Sequence, residues 1–89
     1  MTEKTPFILI VDDEPDFLEI LSTKLTTAGF QVEKAQSGSE AIKKAKSHRP
    51  DLMLMDIKMP IMDGVETFLK IKEDPDIDGI PVLFLTNLG

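Results

Sequence analysis

The sequence has no cysteine, few basic residues and no long apolar run. The absence of cysteine excludes a disulfide framework, a thiolate metal site and a cysteine nucleophile. Sixteen acidic residues against ten basic ones give a net charge of −6, which opposes binding of nucleic acid or an anionic membrane by this segment. No apolar run is longer than the five residues 7–11, so no membrane span is expected and a cytoplasmic location is the default.

The length and composition predict one small globular domain. Eighty-nine residues allow a single domain over 1–89, and 42% apolar with 29% charged residues is typical of a folded, hydrated protein. A chain of this size buries a modest core, and its stability is expected to be correspondingly modest.

Apolar runs and helical patterns alternate along the chain. Three runs without interleaved polar residues, 7–11, 52–55 and 82–85, predict strands covered on both faces, and the mixed segment 31–35 predicts an edge strand. Apolar residues spaced by three and four predict helices over 15–28, 39–47 and 64–72. This order predicts an α/β fold with a doubly wound parallel sheet, whose ligands bind at the carboxyl ends of the strands.

Acidic residues follow two of the predicted strands. Asp12, Asp13 and Glu14 come after the first strand, and Asp56 follows the third. If the two strands are neighbours, the aspartates converge at one edge of the sheet and repel one another, and a hard cation such as Mg²⁺ would neutralise them. For Asp13 and Glu14, capping of the following helix is an equally good interpretation.

The segment 56–64 carries a more specific pattern. Asp56 is followed by Met-Pro at the third and fourth positions and by Asp-Gly at the seventh and eighth, after an acidic pair at the end of the first strand. In this order the residues resemble the receiver domain of two-component response regulators, the CheY-like family. Residues 78–86 resemble its fourth strand with a terminal hydroxyl residue, Thr86.

This resemblance implies a flavodoxin-like fold with strand order 2-1-3-4 and a role for each matching residue. Asp56 would accept a phosphoryl group from a sensor histidine kinase or phosphotransfer protein. Mg²⁺ would be held by Asp13, Asp56 and the backbone carbonyl of Lys58, while Asp12 would hold a metal-bound water or the geometry of the site. Thr86 would donate its hydroxyl to a phosphoryl oxygen and act as the switch. Catalysis would be limited to phosphorylation and dephosphorylation of the domain itself.

The sequence departs from the family pattern at its carboxyl end. The family continues with a helix, a fifth strand ending in a lysine and a last helix, whereas this sequence ends at Gly89, so 1–89 resembles an incomplete receiver domain. Lys58 is near Asp56 in sequence but does not take the place of that lysine. The fourth strand would then form an open apolar edge, and self-association through it is expected.

Two other functions compete with the phosphoacceptor hypothesis. Without the lysine the chain could serve as an interaction or oligomerisation module that is not phosphorylated. An aspartyl-phosphate phosphatase is a weaker alternative, because those enzymes resemble a pattern with a second aspartate two residues after the nucleophile, where this sequence has Lys58.

Overall fold

A computed structural model describes residues 5–85, within which four parallel strands and three helices alternate. The elements are β1 (Phe7–Val11), α1 (Pro15–Thr27), β2 (Gln31–Ala35), α2 (Gly38–Ser47), β3 (Leu52–Asp56), α3 (Gly64–Glu73) and β4 (Val82–Leu85). The strand order is β2-β1-β3-β4, so the predicted α/β fold and the order 2-1-3-4 are confirmed. No helix within residues 5–85 has the length and apolarity needed to cross a membrane.

The two faces of the sheet carry separate apolar clusters. Ile8 and Ile10 of β1 pack with Leu18 of α1 on one face, whereas Leu9 and Val11 point to the other face, towards α2 and α3. Alternate side chains of β1 therefore enter different clusters, which is why the strand has no polar position.

Each helix begins where the sequence supplies a suitable first turn. Pro15 occupies the start of α1, where its missing N–H costs no hydrogen bond. The Ser37 hydroxyl caps α2 by accepting from the Glu40 N–H at 3.1 Å. Asp63 and Glu66 form a reciprocal capping box at the start of α3. The predicted helix bounds agree with the observed ones to within one residue.

The two edge strands differ in polarity. β2 carries Glu33 and Lys34, and the Lys34 ammonium pairs with Glu19 of α1 at 3.0 Å. β4 carries no charge, and its Leu83 and Phe84 side chains remain 57% and 37% exposed. Charged side chains discourage further strand pairing at β2, whereas β4 has none to do so.

Candidate functional site

The carboxylates of Asp12, Asp13 and Asp56 meet at the carboxyl edge of the sheet. β1 pairs directly with β3, with Val11 opposite Met55, so the residues that follow these two positions are brought side by side. One carboxylate oxygen from each aspartate lies within 4.8 Å of those of the other two. The predicted convergence of the three side chains is therefore present in the fold.

Asp12 is the buried member of this cluster, with 7% of its surface exposed. Its backbone N–H donates to the Ala35 carbonyl at 3.1 Å, and its Oδ1 accepts from the Glu14 N–H at 2.9 Å. Burial raises the pKa of the Asp12 carboxyl, and the negative charges of Asp56, Asp13 and Glu14 raise it further, while the hydrogen bond from Glu14 acts in the opposite direction. The ionised site is thus under electrostatic strain that a bound cation would relieve.

Helix capping does not account for the acidic residues after β1. Glu14 stands at the N-cap position of α1, but its side chain makes no capping hydrogen bond. Among the hydrogen bonds of residues 5–85, none joins the Asp13 side chain to α1. The carboxylates of Asp13 and Glu14 are therefore not occupied in capping α1, and that of Asp13 belongs to the cluster at the sheet edge.

The loop after Asp56 is held tightly against the end of β3. The Gly64 N–H donates to the Ile57 carbonyl at 2.7 Å, and a Cβ at Gly64 would lie 2.9 Å from the Ile57 Cα and overlap the Asp56 carbonyl. Only glycine fits this approach, so Gly64 is more than an ordinary turn residue. Ile61, fully exposed, adopts φ 70° in a turn closed by the Met62 N–H to the Pro60 carbonyl at 2.8 Å.

An open cavity of about 460 Å³ lies over the three carboxylates. Its walls are formed by Asp12, Asp13, Glu14, Phe17, Asp56, Lys58 and Leu85. Three carboxylates in one open site supply the hard oxygen donors that a divalent cation prefers and leave room for water or a further ligand. The chemistry of this donor set fits a hard metal ion, and the space beside Asp56 fits a small anion bound to that ion.

A comparison with known protein families shows to which family the chain belongs. The family model of the response regulator receiver domain matches residues 8–89. The chain belongs to the receiver domain family. The resemblance predicted from the motifs is confirmed, and the flavodoxin-like architecture agrees with it.

Individual relatives give the same result. The receiver domain is 36% identical to the Escherichia coli transcriptional regulatory protein GlrR over 89 residues, which is the whole of this chain but 20% of GlrR. It is 44% identical to the N-terminal domain of a response regulator receiver protein from Methanoculleus marisnigri, with a TM-score of 0.88 over 90% of this chain and 65% of that one. For the chemotaxis protein CheY4 of Vibrio cholerae the identity is 31% and the TM-score 0.86, covering 96% of this chain and 73% of that one.

Not every expected site residue of the receiver domain can be placed. Asp12, Asp13, Asp56 and Lys58 line one cavity, and their roles in metal binding and phosphorylation stay predictions. Thr86 lies outside the described residues, so its role stays a prediction. Sequence reasoning did not assign Phe17 to the site, but this residue of α1 is 41% exposed and lines the cavity. Its position one turn after Asp13 could have indicated a place beside the site, because the first turn of α1 starts at the carboxyl edge of the sheet.

Proposed function

We propose that this receiver domain accepts a phosphoryl group on the carboxylate of Asp56, from the phosphohistidine of a sensor histidine kinase or a phosphotransfer protein. The observation that carries the proposal is the group of three carboxylates within 4.8 Å of one another, with Asp56 facing an open cavity. A carboxylate in this position is accessible to a donor, and the neighbouring oxygens can hold the cation that such a transfer needs.

The transfer requires one bond to form and one to break. An Asp56 carboxylate oxygen attacks phosphorus, and the bond between phosphorus and the donor imidazole nitrogen breaks. The electron pair of that bond stays with the imidazole, and the product is an acyl phosphate on Asp56. The side chain is half-buried at the end of β3, so its backbone is fixed while its oxygens remain reachable.

Mg²⁺ is the cation that suits this site. Asp13 and Asp56 would bind it through their carboxylates and Lys58 through its backbone carbonyl, while Asp12, tied to the Glu14 N–H, would orient a metal-bound water. When bound, Mg²⁺ offsets the charge on the phosphoryl oxygens and reduces their repulsion from the carboxylates. Burial, and after it the negative charges of Asp56, Asp13 and Glu14, raises the pKa of Asp12, and a cation bound among these carboxylates would reduce their repulsion.

Phosphorylation would change the surface through Thr86. This residue follows Leu85, which pairs with Asp56 across the sheet. A threonine hydroxyl can donate to a phosphoryl oxygen, and this contact would report the state of Asp56 to the end of β4. In this proposal the output is a phosphorylation-dependent surface. The donor protein binds at the cavity.

The experiment is phosphorylation by acetyl phosphate, a small acyl phosphate donor, followed by intact mass measurement. With Mg²⁺ the chain is expected to gain the mass of one phosphoryl group, and with chelator it should gain none. Asp56→Asn should abolish the gain. Asp63→Asn serves as the matched control, because asparagine keeps the helix cap and removes a carboxylate outside the cavity.

Two outcomes would contradict the proposal. Uptake by Asp56→Asn equal to that of the parent would place the phosphoryl group elsewhere. Binding of Mg²⁺ without any phosphorylation would favour an interaction module that keeps the metal site and lacks the transfer chemistry. The Asp63→Asn control distinguishes a loss of phosphoryl uptake specific to Asp56 from a general effect of removing one negative charge.

A further inference from the structure

The cavity over the three carboxylates has one aromatic wall. Phe17 lines it from the first turn of α1, and 41% of the surface of this residue is exposed. Apart from Leu85, the other walls are formed by ionisable side chains, namely the three aspartates, Glu14 and Lys58. A large aromatic side chain therefore stands beside a site that is otherwise built from charged groups.

The fold makes little use of the Phe17 ring. The apolar cluster beneath α1 includes Leu18 and Leu25, whereas Phe17 is not among its members within residues 5–85. Over the same described range, the one pair of aromatic rings in contact is formed by Phe68 and Phe84. The ring of Phe17 therefore keeps an aromatic face that a ligand in the cavity can contact.

The backbone that carries Phe17 is fixed relative to the carboxylates. The Glu14 N–H donates to Oδ1 of Asp12 at 2.9 Å, and the Leu18 N–H donates to the Glu14 carbonyl at 3.1 Å. The first contact ties the start of α1 to the buried carboxylate, and the second closes the helical turn that contains Phe17. The position of the ring is therefore set by the same residues that build the carboxylate cluster.

We infer that Phe17 determines which phosphodonors the site prefers, by contacting an aromatic leaving group with the face of its ring. The inference rests on the proposed phosphorylation of Asp56, and it names N-phosphorylated imidazole as the preferred donor chemistry. In an in-line transfer the leaving group lies on the side of phosphorus opposite the attacking oxygen. It therefore points away from Asp56 into the open part of the cavity, between walls that include Phe17.

The charges around the cavity favour the same donor. The ring of an N-phosphorylated imidazole is positively charged when its second nitrogen holds a proton. Such a ring is attracted to the face of an aromatic side chain and to the surrounding carboxylates. As Asp56 bonds to phosphorus, the P–N bond breaks and its electron pair stays on the ring nitrogen. The proton on the second nitrogen lets the ring leave as neutral imidazole, and no further reactant is consumed.

Two small donors with the same kind of bond test the role of Phe17. N-phosphoimidazole releases imidazole, whereas phosphoramidate releases ammonia and carries no ring. Both give the same acyl phosphate on Asp56, so intact mass measured against time with Mg²⁺ yields a rate constant for each donor. The test quantity is the rate constant with N-phosphoimidazole divided by that with phosphoramidate. A variant that merely folds or binds Mg²⁺ less well lowers both rate constants together and leaves this ratio unchanged.

Substitutions at position 17 should change the ratio according to the aromatic ring. Phe17→Ala should lower it by about three- to tenfold, the effect of losing one aromatic contact. Phe17→Leu should lower it too, because leucine keeps apolar bulk without a ring, and Phe17→Tyr should retain the parent ratio. Ile20→Ala is the matched control, since Ile20 is another apolar residue of α1, 57% exposed and outside the cavity walls. Its ratio should equal that of the parent.

The outcomes separate this inference from the proposed function. Equal ratios for the parent and Phe17→Ala, while both take up phosphate on Asp56, would overturn the role of Phe17 alone. A ratio that Phe17→Leu keeps and Phe17→Tyr loses, or one that Ile20→Ala lowers as far as Phe17→Ala does, would overturn it as well. No uptake from either donor would overturn the proposed phosphorylation of Asp56 and this inference with it.

Discussion

Replacing Asp12 by asparagine is predicted to stabilise the metal-free protein at neutral pH. Asparagine has nearly the same shape, and its Oδ1 can still accept the Glu14 N–H that Asp12 accepts at 2.9 Å. The substitution therefore keeps the turn between β1 and α1 and removes only the buried negative charge. A loss of packing is not expected.

The magnitude follows from the distances between the carboxylates. Two unit charges 4.8 Å apart repel by about 0.9 kcal/mol in bulk water and by about 3.5 kcal/mol at an effective dielectric constant of 20. The cavity is open to water, and Asp12 and Asp13 are neighbours in the unfolded chain too, so mainly the repulsion from Asp56 counts. We expect a gain of about 1 to 2 kcal/mol in the free energy of unfolding.

The dependence on pH has a definite sign. The native Asp12 pKa is raised, so the folded protein binds this proton up to a higher pH than the unfolded chain. The contribution of Asp12 to the free energy of unfolding of the wild type therefore falls as the pH rises. The fall begins near the ordinary aspartate pKa, about 3.9, and is complete above the raised pKa of Asp12 in the folded protein. The gain in stability of the Asp12→Asn variant over the wild type should therefore be complete above this pH range and absent below it.

Urea denaturation in the presence of chelator measures this effect. With a slope near 1 kcal/mol per molar urea, the midpoint should rise by about 1 to 2 M at pH 7, with the slope unchanged. Mg²⁺ should then stabilise the wild type more than the variant. Asp78→Asn, at an exposed position far from the cluster, should shift stability by less than about 0.5 kcal/mol. A variant no more stable than the wild type, or an advantage independent of pH, would refute the electrostatic reasoning.

Substitutions at three positions test the loop that follows Asp56. Ile61→Gly should stabilise the fold by about 1 kcal/mol in urea, because relief of a β-branched residue at φ 70° outweighs the entropy cost of glycine; a destabilised variant would contradict this. Gly64→Ala should lower the free energy of unfolding by about 2 kcal/mol or more and slow phosphorylation of Asp56, because the alanine Cβ would displace the backbone at 56–57. Unchanged thermal stability would argue against the close approach of Gly64 to this backbone. Asp63→Ala should cost about 1 kcal/mol through loss of the α3 cap, whereas Asp63→Asn should cost little, and equal losses in a thermal melt would rule out capping as the cause.

The sheet was predictable because its strands are buried on both faces. The apolar run of β1 gave its bounds directly, and the mixed polarity of β2 correctly indicated an edge. β3 extends one residue beyond its apolar run to include Asp56, because that backbone still pairs with Leu85. Polarity patterns report burial, and they end one residue early where a buried strand delivers a polar side chain to the site.

The convergence of the aspartates was predictable, but the local surroundings of each side chain were not. Strand adjacency brings Asp12, Asp13 and Asp56 together, and this follows from topology. Asp12 is buried and accepts a hydrogen bond from the Glu14 N–H. Both features depend on local side-chain geometry, which the pair of acidic residues in the sequence does not reveal. The same holds for Gly64, whose contact with 56–57 requires the three-dimensional course of the loop.

The most direct test of the central claim is to locate the phosphoryl group on the chain. After incubation with acetyl phosphate and Mg²⁺, borohydride reduces an aspartyl phosphate to homoserine, and peptide mass spectrometry identifies the converted position. The proposed mechanism predicts homoserine at position 56 alone, and only when Mg²⁺ is present. Conversion at Asp12 or Asp13, or none at any aspartate while Mg²⁺ binds, would contradict the assignment of Asp56 as the phosphoacceptor.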